Sequence, residues 1–145
     1  GAALAMLPQA RVVHCRRDAL ETGWSCFKQF FGNALADFSY DFRSIAGYWG
    51  DAERLCAFWA ERDPARVHVV EHEALVADPG KRIRALLDAC GLPFDDACLR
   101  PHEARRAVRS ASAMQVRQPL APRAPRTAAY GPLLDPLREA LAAER

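Results

Sequence analysis

Two short runs rich in β-branched residues, at 11–16 (Arg-Val-Val-His-Cys-Arg) and 67–72 (Val-His-Val-Val-Glu-His), constrain this chain most. Each reads as a strand. The stretch between them carries two helical patterns, and a third follows the second strand. Strands joined through helices cannot form a hairpin, so they pair in parallel within an α/β layer fold. Asp18 offers an N-cap to a helix over residues 20–31 that ends at Gly32, with Gly23 as its weak point. A longer helix begins at Ser39. Its Phe42, Ile45, Ala46, Trp49, Ala52, Cys56 and Trp59 recur at helical spacing, and Pro64 bars it from running far past Arg62. Asp78-Pro79 opens a third helix, with Ile83, Leu86, Leu87 and Cys90 on its apolar face and Gly91 at its end.

Past Pro101 the pattern weakens. Residues 102–108 read as helical, and 118–126, with three prolines, as a loop or extended arm. A last helix is expected over 130–143, burying Leu133, Leu134, Leu137 and Leu141. Two strands make a thin sheet, which is marginal unless helices cover it or further strands join it. This favours a fragment, or a chain that completes its sheet as a homo-oligomer.

Composition narrows the function classes. The 145 residues carry a net charge of +2, so the total gives no support to a nucleic-acid or membrane-surface role. Arginine dominates the basic residues, with Lys28 and Lys81 the only lysines. High genomic GC content explains that bias, and so does phosphate recognition by guanidinium forks. Five cysteines without a CxxC pair, set among apolar neighbours, fit a reducing, cytoplasmic setting and small core hydrophobes. The four histidines lack metal-ligand spacing, and no apolar run is long enough for a membrane span. The aromatics Trp24, Trp49, Trp59, Phe27, Phe30 and Phe31 fit helix stripes and are expected in the core.

Two segments could carry chemistry. Arg16-Arg17-Asp18 ends the first strand where a helix begins, and Ser25 lies about two turns further on. Ligands of open α/β sheets bind beyond the strands' carboxyl ends, and a helix N-terminus favours anions. The segment is therefore either a phosphate grip or an ordinary surface Arg–Asp pair. Residues 105–119 alternate arginines with small hydroxyl side chains, which suits either a wrap around a phosphorylated ligand or a solvated basic helix face. No aromatics interleave there, as a nucleic-acid surface would want. His72 closes the second strand, where a lone histidine is more often structural than a base.

These segments resemble the sulfotransferases that use 3′-phosphoadenosine-5′-phosphosulfate (PAPS). Residues 11–26, Arg-Val-Val-His-Cys-Arg-Arg-Asp-Ala-Leu-Glu-Thr-Gly-Trp-Ser-Cys, look like that family's 3′-phosphate segment, in which a serine follows an arginine by eight positions, as Ser25 follows Arg17. Residues 70–79 resemble its Tyr-Glu-x-Leu-x-x-x-Pro segment. Residues 108–119, Val-Arg-Ser-Ala-Ser-Ala-Met-Gln-Val-Arg-Gln-Pro, are similar to the bacterial members often fused to tetratricopeptide repeats and related to the tyrosylprotein sulfotransferases. The resemblance implies a partial, P-loop-like three-layer α/β fold, with few parallel strands and mostly helix. It implies that Arg17 and Ser25 hold the 3′-phosphate of PAPS or of its product PAP, that Ser112 contacts a nucleotide phosphate, that His72 replaces the adenine-side tyrosine, and that Arg126 matches the basic residue of a C-terminal arm.

The same resemblance marks what the sequence lacks. The family's Gly/Ser/Thr-rich loop for the 5′-phosphosulfate, and the general base that belongs near it, have no counterpart in these 145 residues. The chain is thus expected to be the C-terminal part of a sulfotransferase domain over residues 1–145, with no catalytic residue of its own and inactive alone, the parent transferring sulfate to a hydroxyl or amine acceptor. The alternative is a non-catalytic binding or interaction module derived from that fold. Without a phosphate loop, a nucleotide kinase or another P-loop enzyme does not fit.

Overall fold

A computed structural model describes residues 1–32, 34–104, 116–122 and 124–144. The architecture is α/β, with two parallel strands in a single sheet and mostly helix elsewhere among the described residues. The chain divides into two compact units, one of Gly1–Cys15 with Ala65–Arg123, the other of Arg16–Pro64 with Ala124–Arg145.

The first unit holds the sheet. A short helix, α1 (Ala2–Met6), precedes β1 (Val12–Arg16), which pairs with β2 (Val67–Glu71). The Val12 N–H donates to the Arg66 carbonyl at 2.7 Å. The Arg66 guanidinium then donates to the carbonyls of Leu4 at 2.9 Å and Pro8 at 3.3 Å, tying α1 and its following turn to the entry of β2. His72 opens α4 (His72–Ala77) instead of closing β2. Asp78 caps α5 (Pro79–Cys90) by accepting from the Lys81 N–H at 3.1 Å, and Gly91 closes it at φ 69°. Leu4, Val67 and Val76 are buried, whereas Ile83, Leu86, Leu87 and Cys90 are half-buried. A two-stranded platform is too narrow to cover a helix face completely. Residues 101–103 form one 3₁₀ turn, and the rest of the helix expected up to 108 lies outside the described residues.

The second unit is built on three helices: α2 (Ala19–Phe27), α3 (Phe42–Arg62) and α6 (Asp135–Ala143). Ala19, Ile45, Ala46, Leu137 and Leu141 form its core, with Leu20, Trp24, Phe38, Phe42 and Trp49 packed around them. Gly23 lies in the midst of this contact. A Cβ there would stand 3.3 Å from Ile45 Cγ2 and from both δ carbons of Leu137. The glycine that weakens α2 in isolation is what lets α3 and α6 approach it.

Several boundaries differ from expectation. Helix α2 stops at Phe27, not 31, because its last turn tightens: the Lys28 N–H donates to the Trp24 carbonyl at 3.2 Å, and the Gln29 N–H reaches back only three residues, to the Cys26 carbonyl at 3.0 Å. Phe30 and Phe31 are consequently exposed, not core. Helix α3 is capped by Asp41, not Ser39; Asp41 Oδ2 accepts from the Ser44 N–H at 2.8 Å and its hydroxyl at 2.9 Å. Ser39 instead sits fully buried in a 3₁₀ segment, Ala34–Tyr40. The last helix begins at Asp135. Before it, Arg126–Leu134 winds as 3₁₀ with a break at Gly131, φ 47°, followed by Pro132. That break turns Leu133 outward, while Leu134, Leu137 and Leu141 go inward. The cysteines are all free; Cys15 is exposed and the other four are half-buried, so none is a fully buried core residue.

Candidate functional site

Asp18 sets the geometry at the start of α2 by accepting from the Glu21 N–H at 2.8 Å. Arg16, the last residue of β1, and Arg17, in the link before that cap, then part. Arg16 Nε pairs with Glu53 of α3 at 2.7 Å. Arg17, in the link just before α2, turns back onto that helix, and its Nη2 donates to Glu21 Oε2 at 3.2 Å. The Arg17 side chain is 42 % exposed and that of Glu21 9 %, so the cation faces solvent over a buried carboxylate.

The other oxygen of Glu21 reaches across the sequence. Oε1 accepts from the backbone N–H of Thr127 at 2.7 Å, and Thr127 is itself buried. The C-terminal arm is thereby pinned to α2, with exposed Arg126 one residue before the pin. Burial alone would push the Glu21 carboxyl up. The Thr127 N–H and hydroxyl outweigh it, together with the charges of Arg17 and Arg126, and the group titrates below the ordinary glutamate range. Glu21 is therefore a buried anion at neutral pH, flanked by two arginines.

Ser25 lies one helical turn beyond Glu21, at i+4, and shares its face of α2 while remaining exposed. Aromatic contacts hold the arm down further along. Tyr130 meets Trp24 edge-on with ring centroids 4.5 Å apart. Lys28 Nζ lies 5.2 Å from the Trp24 ring centroid and 5.8 Å from that of Tyr130. In the second unit Arg17 and Arg126 thus flank Glu21 in the first turn of α2, and Ser25 follows one turn further along the helix. Such a set can fork onto a phosphate while the free N–H groups of the helix terminus favour the same charge.

The other expected contacts fall elsewhere. His72 belongs to the first unit, is exposed, and has its Nδ1 3.7 Å from Glu73 Oε1. Ser112 lies outside the described residues. A groove of about 690 Å³ in the second unit is lined by Phe27, Asp41, Phe42, Pro136, Ala140 and Glu144 among others; Arg17, Ser25, His72 and Arg126 do not line it. Among the described residues no three metal-ligating side chains gather, and no helix is long and apolar enough to cross a membrane. Sequence reasoning missed Glu21, Thr127, Lys28 and Tyr130. The i,i+4 spacing of Arg17 and Glu21 was legible; the contact between residues 21 and 127 was not.

The two parallel strands and the helices around them define the class as α/β. Residues 1–96 match the Sulfotransferase family, and the chain belongs to that family. The match includes Arg17, Ser25 and His72; Arg126 lies beyond it. Over 120 residues, 81 % of the chain, it is 31 % identical to an uncharacterized protein of Aquifex aeolicus (strain VF5), and it spans 16 % of that relative's length.

Proposed function

We propose that this chain grips the 3′-phosphate end of PAPS, or of the product PAP, as the C-terminal part of a sulfotransferase of the bacterial, tetratricopeptide-repeat-associated kind. Arg17, Arg126 and Ser25 are the phosphate contacts, with Ser112 and His72 as further nucleotide contacts. The observation that carries this reading is the meeting of Arg17 and the Arg126–Thr127 backbone at one buried carboxylate, beside Ser25 and the N-terminus of α2. The acceptor is a hydroxyl or an amine. Sulfuryl transfer needs a cradle for the transferring group and a base for the acceptor. The 145 residues contain no Gly/Ser/Thr-rich phosphosulfate loop, so the chain is read as inactive alone. Free cysteines fit a reducing, cytoplasmic setting, and the narrow sheet fits assembly of copies through its edges.

A second reading, a non-catalytic interaction module, draws support from α3. Tyr48, Leu55 and Phe58 lie along one side of that helix and are 60 %, 59 % and 53 % exposed.

Calorimetric titration with adenosine 3′,5′-bisphosphate tests the first reading. Saturable binding is expected, weakened about tenfold to a hundredfold by Arg17→Ala, since a charge-assisted hydrogen bond is worth about 1.5–3 kcal/mol. Absence of binding by the folded chain would refute the grip and leave the interaction module.

A further inference from the structure

Glu21 presents a puzzle if its surroundings bind an anion. A carboxylate beside a phosphate site repels the ligand, and simple charge balance says the site would do better without it. The geometry points to a different role. We propose that Glu21 is a positioning residue, whose two carboxylate oxygens separately aim the Arg17 guanidinium and fix the arm that carries Arg126. This role rests on the reading of the site as a phosphate grip.

Each oxygen has one task. Oε2 takes a single N–H from Arg17 at 3.2 Å. A guanidinium has five N–H donors in a rigid plane, so one tether orients the fork and leaves the other donors for a ligand. Oε1 takes the Thr127 N–H at 2.7 Å. Arg126 precedes that nitrogen by one peptide unit, so standard bond lengths place its Cα within about 5 Å of the same carboxylate. Untethered, an exposed arginine samples many rotamers, and ordering it on binding opposes affinity. Burial keeps the tether from being competed away by water; the Glu21 side chain is 9 % exposed. The arm closes over the same point through buried Thr127 and through Tyr130 on Trp24.

The two accounts differ in sign. If Glu21 were only a neighbouring negative charge, its neutralisation would tighten phosphate binding. As a positioning residue its loss weakens binding, and does so through Arg17. Glu21→Gln isolates the question, because it keeps the side chain's length and a carbonyl acceptor for Thr127 while turning an N–H donor toward Arg17. The experiment is titration of the full chain with adenosine 3′,5′-bisphosphate in four forms: wild type, Glu21→Gln, Arg17→Ala and the double variant, each checked by thermal melting. Glu21→Gln is expected to weaken binding about tenfold in the wild-type background and to add nothing in the Arg17→Ala background. Should it melt below the assay temperature, Glu21→Asp, one methylene too short to span both partners, takes its place, with a loss expected in the wild-type background and a smaller one in the Arg17→Ala background. Unchanged or tighter binding, or an equal loss on both backgrounds, overturns the positioning role. Absence of binding by wild type is a distinct result: it overturns the phosphate reading and this role with it.

Discussion

Replacing Gly23 by valine tests whether the packing that sets α2 in place is as tight as its geometry indicates. The first added carbon would already stand 3.3 Å from Ile45 Cγ2 and from Leu137 Cδ1 and Cδ2. Neither neighbour has open space to retreat into, since Ile45 is 3 % and Leu137 0 % exposed. Valine adds two further methyls to that contact. Overpacking of this kind costs about 1–3 kcal/mol, against about 0.4 kcal/mol returned by removing a helical glycine. The net expectation is a loss of about 0.6–2.6 kcal/mol. Leu137→Ala by itself opens a cavity and should cost about 2–5 kcal/mol. Together the two changes compensate, because the valine methyls enter the volume that the leucine vacates. The double variant should therefore be less destabilised than the sum by about 1 kcal/mol or more, within the range of coupling seen between touching residues. Urea unfolding followed by tryptophan fluorescence reads this directly, as Trp24 and Trp49 pack on the same cluster. Strict additivity, or a stabilised single Gly23→Val variant, would refute the close approach of α2, α3 and α6.

Other expectations follow from single residues. Glu21 titrates below its ordinary value of 4.5, so its ionised form favours the folded state; that stability is fully present above pH 4.5 and is lost as pH falls through the lower folded value. Urea midpoints from pH 7 to pH 3 should show this acid limb in wild type and a shallower one in Glu21→Gln. Arg126→Ala should weaken adenosine 3′,5′-bisphosphate binding about tenfold and reduce its salt dependence, whereas Arg16→Ala, whose guanidinium faces Glu53, should leave the affinity near wild type. Asp78→Ala removes the acceptor for the Lys81 N–H and should cost about 1 kcal/mol in the first unit, measured by chemical denaturation.

Local chemistry by itself determined much of this protein. The β-branched runs fixed both strands, the Asp78-Pro79 and Gly91 signals fixed both ends of α5, and the segment with an arginine at a strand end and a serine eight residues later carried the resemblance to the family. These features depend on residues within one or two turns of each other, so a linear reading contains them. Only the tertiary structure decided the rest. Phe30 and Leu133 carry the same apolar signal as their buried neighbours, yet they face solvent, because a tightened last turn after Phe27 and the break at Gly131 rotate them away. Gly23 reads as a flaw until α3 and α6 are packed against it. Arg16 and Arg17 are equivalent in sequence, and they separate only when Glu53 and Glu21 claim one each. The join between Glu21 and Thr127 spans a sequence separation of 106. A hydrogen bond of that separation leaves no periodicity in the chain; it exists because the helices of the second unit bury a shared apolar face and, in doing so, bring the arm to the carboxylate.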